Sequence, residues 1–216
     1  GTYQLRFDAL GVPEDAVSNT IEITPAAADA LVEVSGDGQT ATVNTALNNA
    51  FTVQITDAFG NPVQGETVDF AVVTAPAGAA GTALSTGSAT TDVNGNAFST
   101  LTLGSIAGSY TVSASSGVGS VQFTAAAVAG GAATIEFDTI SSPQTAGNPF
   151  VIALTAFDSN GNIADGYSGT ANLTTTAGTI TPGSVTFNAG EASSNVTVSQ
   201  AGNNLTLSVE DGVITG

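Results

Sequence analysis

The chain carries the same segment twice, about 100 residues apart. Asp57-Ala58-Phe59-Gly60-Asn61-Pro62-Val63-Gln64-Gly65 returns as Asp158-Ser159-Asn160-Gly161-Asn162-Ile163-Ala164-Asp165-Gly166, and Ala30-Leu31-Val32-Glu33-Val34 returns as Ala133-Thr134-Ile135-Glu136-Phe137. A third, partial copy opens the sequence, where Gly1-Thr2-Tyr3-Gln4-Leu5 parallels Gly108-Ser109-Tyr110-Thr111-Val112. A unit of this length can bury its own core, so the repeat is a copied domain. Copied domains usually span distance, present surfaces or polymerise; they seldom build one active site.

Composition narrows the kind of domain. Hydrophobic residues are 42% of the 216, while charged residues are only 9%, against roughly 25% in ordinary domains. The polar surface therefore falls to Thr, Ser, Asn and Gly, which suit strands and turns and are poor for helix. Turn signals at Gly36-Asp37-Gly38, Gly60-Asn61-Pro62, Asn94-Gly95 and Gly117 separate short alternating runs. The expected architecture is all-β: tandem antiparallel sandwiches with Greek-key connections and no substantial helix. Pro76–Gly81 reads as a surface loop. The aromatics Tyr3, Phe51, Phe70, Phe98, Tyr110, Phe123, Phe137, Phe150, Phe157 and Phe187 fall in or beside strands and are expected in the cores. Tyr167 follows Asp165-Gly166 in a loop and is the one aromatic with a plausible exposed position, although packing is the preferred reading.

The repeat divides the chain into three. Residues 1–24 supply two strands, Tyr3–Asp8 and Asn19–Thr24, that close a preceding module. Residues 25–128 form a complete domain, and residues 129–216 form a second whose last strand is lacking. Two explanations fit this phase. One is a stretch of a longer array. The other is strand exchange, in which one subunit's terminal strand closes a neighbour's open sheet edge.

Charge excludes several partners. Eighteen carboxylates face a single cation, Arg6, for a net charge of -17. Phosphate neutralisation and attraction to anionic membranes both lack the cations they need. No apolar run approaches the ~18–20 residues of a membrane helix. With no Cys, His or Lys, nucleophile activation has few routes and no enzyme is expected.

Thr56-Asp57-Ala58-Phe59-Gly60-Asn61-Pro62-Val63-Gln64-Gly65-Glu66-Thr67-Val68-Asp69-Phe70, followed by Thr90-Thr91-Asp92-Val93-Asn94-Gly95-Asn96-Ala97, resembles the bacterial immunoglobulin-like repeats of the invasin and intimin type. The second copy, Phe157 to Thr174, is similar to related repeats of large bacterial surface proteins. The resemblance implies immunoglobulin-like sandwiches in extracellular stalks, adhesins or surface fibres, and it brings no catalytic residues.

Two loops have the oxygen content of a calcium site: Asp158, Asn160 and Asn162 with Asp165, and Asp92, Asn94 and Asn96. Neither matches the EF-hand pattern, since the glycine sits too early and the terminal bidentate Glu is missing. Asn-Gly and Gly-Asn are also hairpin turns, because both residues tolerate positive φ, and this reading is preferred. No cofactor is required on this reading, and calcium is the one candidate ion.

The expected function is a structural module, a stalk or fibre spacer, of an extracellular or surface-bound bacterial protein. Its expected partners are neighbouring immunoglobulin-like repeats or identical subunits. A self-assembling subunit of a filament, sheath or surface layer is the first alternative, and a glycan- or receptor-binding adhesin module is the second.

Overall fold

A computed structural model describes residues 2–7, 16–17, 19–212 and 214, and all regular structure among them is β-strand. The first sandwich pairs a five-stranded with a three-stranded sheet. The larger has the order Ser88–Thr90, Thr67–Thr74, Gly108–Ser116, Gly119–Val128, Gln39–Thr42; the smaller has Asn96–Ser99, Phe51–Asp57, Ala28–Ser35. Strict alternation builds the core. Phe51–Asp57 buries every second residue, and Gly108–Ser116 turns Tyr110, Val112 and Ala114 inward. Phe51 stacks on Phe123 across the sandwich, ring centroids 4.7 Å apart. The buried Tyr110 hydroxyl donates to the Ile106 carbonyl at 2.9 Å, the tyrosine corner of immunoglobulin-like folds.

One pairing departs from the expected antiparallel scheme: Gln39–Thr42 runs parallel to Gly119–Val128. The chain leaves the smaller sheet after Ser35, crosses over at Gly36-Asp37-Gly38 and joins the larger one. Gly36 has φ of 106°, and a Cβ there would collide with the Ala50 carbonyl oxygen. Asp37 then fixes the crossing by accepting the Thr124 N–H at 2.6 Å and the Thr124 hydroxyl at 2.9 Å. Those bonds, the N–H first, lower the Asp37 pKa.

The second sandwich repeats the plan. One sheet has the order Thr134–Phe137, Phe150–Phe157, Glu191–Val198, Ile180–Thr181; the other has Ser184–Thr186, Thr170–Thr175, Leu207–Glu210. Its separate core includes Ile152, Leu154, Phe187 and Val209. Pairing registers fix the equivalences: Val68 faces Ala89 as Ala171 faces Val185, and Ala114 faces Phe70 as Val209 faces Leu173. Leu207–Glu210 is thus the counterpart of Gly108–Ser116. Its outer edge, which carries Gly119–Val128 in the first sandwich, has no strand partner among the described residues.

At the start of the chain, Thr2–Tyr3 pairs with Ile21–Glu22 and Arg6–Phe7 with Ala16–Val17. Tyr3 faces Ile21 just as Tyr110 faces Ala125, so this hairpin copies the last two strands of the first sandwich. Asp8 of the expected first strand lies outside the described residues.

Three aromatics expected in the cores lie outside them. Phe157 is only half-buried, on the face of its strand opposite the buried Ile152, Leu154 and Ala156. Tyr3 and Phe98 are each 59% exposed: among the described residues no buried core packs against Tyr3, and Ala97 takes the inward position next to Phe98. Tyr167 packs, as preferred for it, edge-on against Phe187 at 5.1 Å, and its hydroxyl donates to Asp211 at 2.7 Å. Pro76–Gly81 is a loop as expected, but Ala83–Leu84 beyond it pairs with Leu101–Thr102, too short a ladder to show in the pattern.

Candidate functional site

The repeated Asp-x-x-Gly-Asn segment is a turn at the entry end of each sandwich. In the first, Asp57 N–H donates to the Asn61 carbonyl at 2.9 Å and Gly60 N–H to the Asp57 carbonyl at 3.0 Å. The Asp57 carboxylate lies inside that turn. Its Oδ1 accepts the Phe59 and Asn61 N–H groups, each at 2.9 Å, and the Asn61 amide at 3.2 Å. Oδ2 accepts the same amide at 3.0 Å and the Ala26 N–H at 2.9 Å. Asp57 is buried, yet the Asn61 amide above all, with the Ala26, Asn61 and Phe59 N–H groups, outweighs desolvation and holds its pKa at about 2.

Asp158 repeats this geometry. Its Oδ1 accepts the Asn160 N–H at 2.8 Å and the Asn162 N–H at 2.9 Å; its Oδ2 accepts the Asn162 amide and the Gly130 N–H, both at 2.9 Å. Burial pushes this carboxyl upward, and the four donors overcome it, so the net shift is down. Ala26 and Gly130 both lie in the segment entering a sandwich. In each copy, then, a buried carboxylate fastens the incoming linker to the turn that follows Phe51–Asp57 or Phe150–Phe157.

Asn162 extends the fastening to the preceding domain. Its Nδ2 also donates to the Ser105 carbonyl at 2.9 Å, and its Oδ1 accepts the Ala107 N–H at 2.9 Å. Asn44 Nδ2 donates to Asn160 Oδ1 at 3.0 Å across the same boundary. Asn162 is accordingly buried, and every hydrogen-bonding atom of its amide has a partner.

Of the residues considered for calcium, Asp158, Asn160, Asn162 and Asp92 have side-chain hydrogen-bond partners. The oxygens of Asp158 face N–H donors, Asn160 and Asn162 bridge the sandwiches, and Asp165 is exposed beside them. Asp92 Oδ1 accepts the Asn94 N–H at 2.8 Å and the Asn96 N–H at 2.9 Å, which is the same turn device. Asn96 Oδ1 is buried without a hydrogen bond. The turn at Asn94-Gly95 has a counterpart at Ala189-Gly190: Gly95 accepts the Ile55 N–H and Gly190 the Ala156 N–H, at 2.9 and 2.7 Å. That second copy has Phe187 and Asn188 before its Ala-Gly and no aspartate, so the turn forms without a carboxylate. Among the described residues no cluster of three or more His, Cys, Asp or Glu is placed to hold a metal.

Sequence reasoning missed the bridging role of Asn162 and the fastening roles of Asp57 and Asp158. The available signal was the Asp and Asn kept four residues apart in both copies, with the glycine before the Asn, while the other two residues between them changed.

No family model and no curated protein matches the chain. Solved structures with a similar arrangement include the Escherichia coli adhesin FdeC, at 18% identity and a TM-score of 0.49, covering 93% of this chain and 66% of that one. Invasin, described as a bacterial integrin-binding protein, is 22% identical with a TM-score of 0.41, covering 87% and 38%. Domains 4–9 of the surface-layer protein SbsC are 19% identical with a TM-score of 0.36, covering 100% and 34%. The chain spans less than two thirds of the length of each. The first sandwich has the sheet-switching first strand and the tyrosine corner of immunoglobulin-like folds, and the second repeats its strand plan, so the chain comprises immunoglobulin-like β-sandwiches in tandem.

Proposed function

We propose that the chain is a spacer module of an extracellular or surface-bound bacterial protein, in which consecutive sandwiches are held at a set angle to project whatever lies beyond them. The observation that carries this reading is the Asn162 bridge. A flexible linker would serve if reach alone were needed, whereas here the linker is fastened by Asp158 and the next domain is bonded to Ser105 and Ala107. The surface supports an extracellular scaffold: acidic, without lysine, and built of Thr, Ser and Asn. Among the described residues no helix is long and apolar enough to cross a membrane.

The test is the distribution of distances between a spin label in each sandwich, measured by pulsed electron resonance. The chain has no cysteine, so labels can be placed freely at introduced ones. A narrow distribution that broadens in Asn162→Ala supports a set angle. An equally broad distribution in both proteins means the junction is a free hinge and the spacer reading fails.

A further inference from the structure

Parallel pairing joins the segments by which the chain enters and leaves the first sandwich. An added Cβ at Gly119 would lie 3.9 Å from Leu31 Cβ, near the start of both segments. Further along, the Gly38 N–H donates to the Thr124 carbonyl at 3.0 Å, and Gln39 faces Ala125. At the far end Thr42 faces Val128, whose carbonyl accepts the Val43 N–H at 2.9 Å. The entering segment thus advances along Gly119–Val128 in the same direction over its whole length.

That direction decides how the sandwich meets tension. A pull at residues 24–27 draws the entering segment backward along its own axis. A pull at residues 129–131 draws Gly119–Val128 forward. The opposed pulls slide one segment along the other, so the bonds spaced evenly between them are strained together. Two strands pulled apart from the same end would instead lose their bonds singly, from that end inward.

Two weaker supports meet the pull first. One is the single bond from the Ala26 N–H to Asp57 at 2.9 Å. The other is the ladder of Ala28–Ser35 on Phe51–Asp57, which register shifts interrupt between Ala28 and Ala30 and between Glu33 and Ser35. The load then reaches Asp37, at the head of the parallel pair. Its Oδ1 accepts both the N–H and the hydroxyl of Thr124, so one carboxylate on the entering segment grips the leaving strand through two charge-assisted bonds. Asp37 and Thr124 are both exposed, so this grip adds nothing to the core. Asp92 makes a similar pair of bonds, but to Asn94 and Asn96 within its own turn, where it ties no entering segment to a leaving one.

We propose that the first sandwich is built to bear tension along the chain, and that Asp37 with the parallel pair of Gln39–Thr42 and Gly119–Val128 is the clamp that sets its lifetime under that tension. The proposal rests on the spacer reading for the source of the pull, since a spacer is stretched between what anchors it and what it projects. Survival under tension is governed by the barrier to unfolding rather than by overall stability. Bonds broken at that barrier therefore matter, and bonds broken after it do not.

The experiment holds the whole chain in optical tweezers at constant tension, through handles on introduced cysteines. Thr24→Cys/Gly131→Cys pulls the two segments in opposite directions along their axes. Thr24→Cys/Gly117→Cys pulls both from the same end, because Gly117 lies in the turn before Gly119–Val128. Gly117 and Gly131 each have open space for a side chain. At equal tension the sandwich should survive many times longer in the first geometry. There Asp37→Ala should shorten its lifetime roughly tenfold, the loss expected of a charge-assisted bond at the barrier. Asp92→Ala should lower the melting temperature without tension as Asp37→Ala does, yet leave that lifetime unchanged. Melting of both variants also shows that they fold. Equal lifetimes in the two geometries, a lifetime unaffected by Asp37→Ala, or one shortened equally by Asp92→Ala would each overturn the proposal. The label distances across the junction test the spacer reading separately, so either can fail alone.

Discussion

Asn162 donates to the Ser105 carbonyl across the boundary between the sandwiches, at 2.9 Å, while the same amide nitrogen donates to Asp158 Oδ2 at 2.9 Å. One side chain thus belongs to the turn after Phe150–Phe157 in the second sandwich and holds the loop before Gly108–Ser116 in the first. Asn162→Ala removes both donors and leaves the Ala107 N–H and one Asp158 lone pair without partners in a buried place. The expected cost is about 1–3 kcal/mol, carried by the second sandwich. Urea unfolding followed by a probe in that sandwich should show the lower midpoint. An unchanged midpoint would mean water replaces the amide at no cost.

Acid should weaken the same fastening. The Asp57 carboxyl lies at about 2 in the folded chain, below its ordinary 3.8. Between those values the unfolded chain binds the extra proton, so stability falls as pH drops through this window and is fully present above it. Asp37 and Asp158 are shifted in the same direction and add to the slope. Asp57→Asn removes one titrating group, so melting temperature should fall less steeply from pH 4 to pH 2 than in the parent. Parallel slopes in the two proteins would show that Asp57 contributes nothing to acid lability.

Much of the fold was legible because its cause is local. Phe51–Asp57 alternates in the sequence and alternates in burial, and the copied Asp-x-x-Gly-Asn turns sit at matching places in both sandwiches. Where alternation alone could not choose a face, the reading failed: Phe98 looked like core because it is aromatic, yet Ala97 takes the inward position. The site was hidden for a different reason. The partners of Asn162 are backbone atoms at Ser105 and Ala107, which any residue could supply, so no pattern of side chains announces them. Only the recurrence of the asparagine did.

Gly36 and Gly38 separate two kinds of glycine requirement. Both have positive φ, 106° and 68°, but an added Cβ meets the Ala50 backbone at Gly36 and nothing within 4 Å at Gly38. Gly38→Ala should cost only the left-handed conformation, about 1–2 kcal/mol. Gly36→Ala must also move the strand beginning at Phe51 and should cost clearly more. Comparing the two by denaturant unfolding tests whether the sheet crossing is tightly packed. Equal costs would show that Ala50 yields freely.

The Tyr167 phenol should ionise far later than an ordinary tyrosine. Desolvation first, then its hydrogen bond to Asp211 and the charge of that carboxylate, raise its pKa from 10 to about 12. The folded chain holds this proton more tightly than the unfolded chain, so the contact stabilises fully below pH 10 and is lost as pH rises toward 12. The difference in absorbance at 295 nm between the parent and Tyr167→Phe should show a transition near 12. A transition near 10 would mean that the hydroxyl is solvated and the bond to Asp211 is not kept.

Calcium should act on this protein only as an ion among ions. The oxygens of Asp158 already accept four N–H donors, and displacing them would release the linker at Gly130 and the turn at Asn162. Any cation will nonetheless raise the melting temperature somewhat by screening a net charge of -17. The informative comparison is therefore calcium chloride against sodium chloride at equal ionic strength. Equal melting temperatures are expected. A further rise with calcium that disappears in Asp158→Asn or Asp92→Asn would reveal a bound ion at that loop, and the turn would then be the form the loop takes without it.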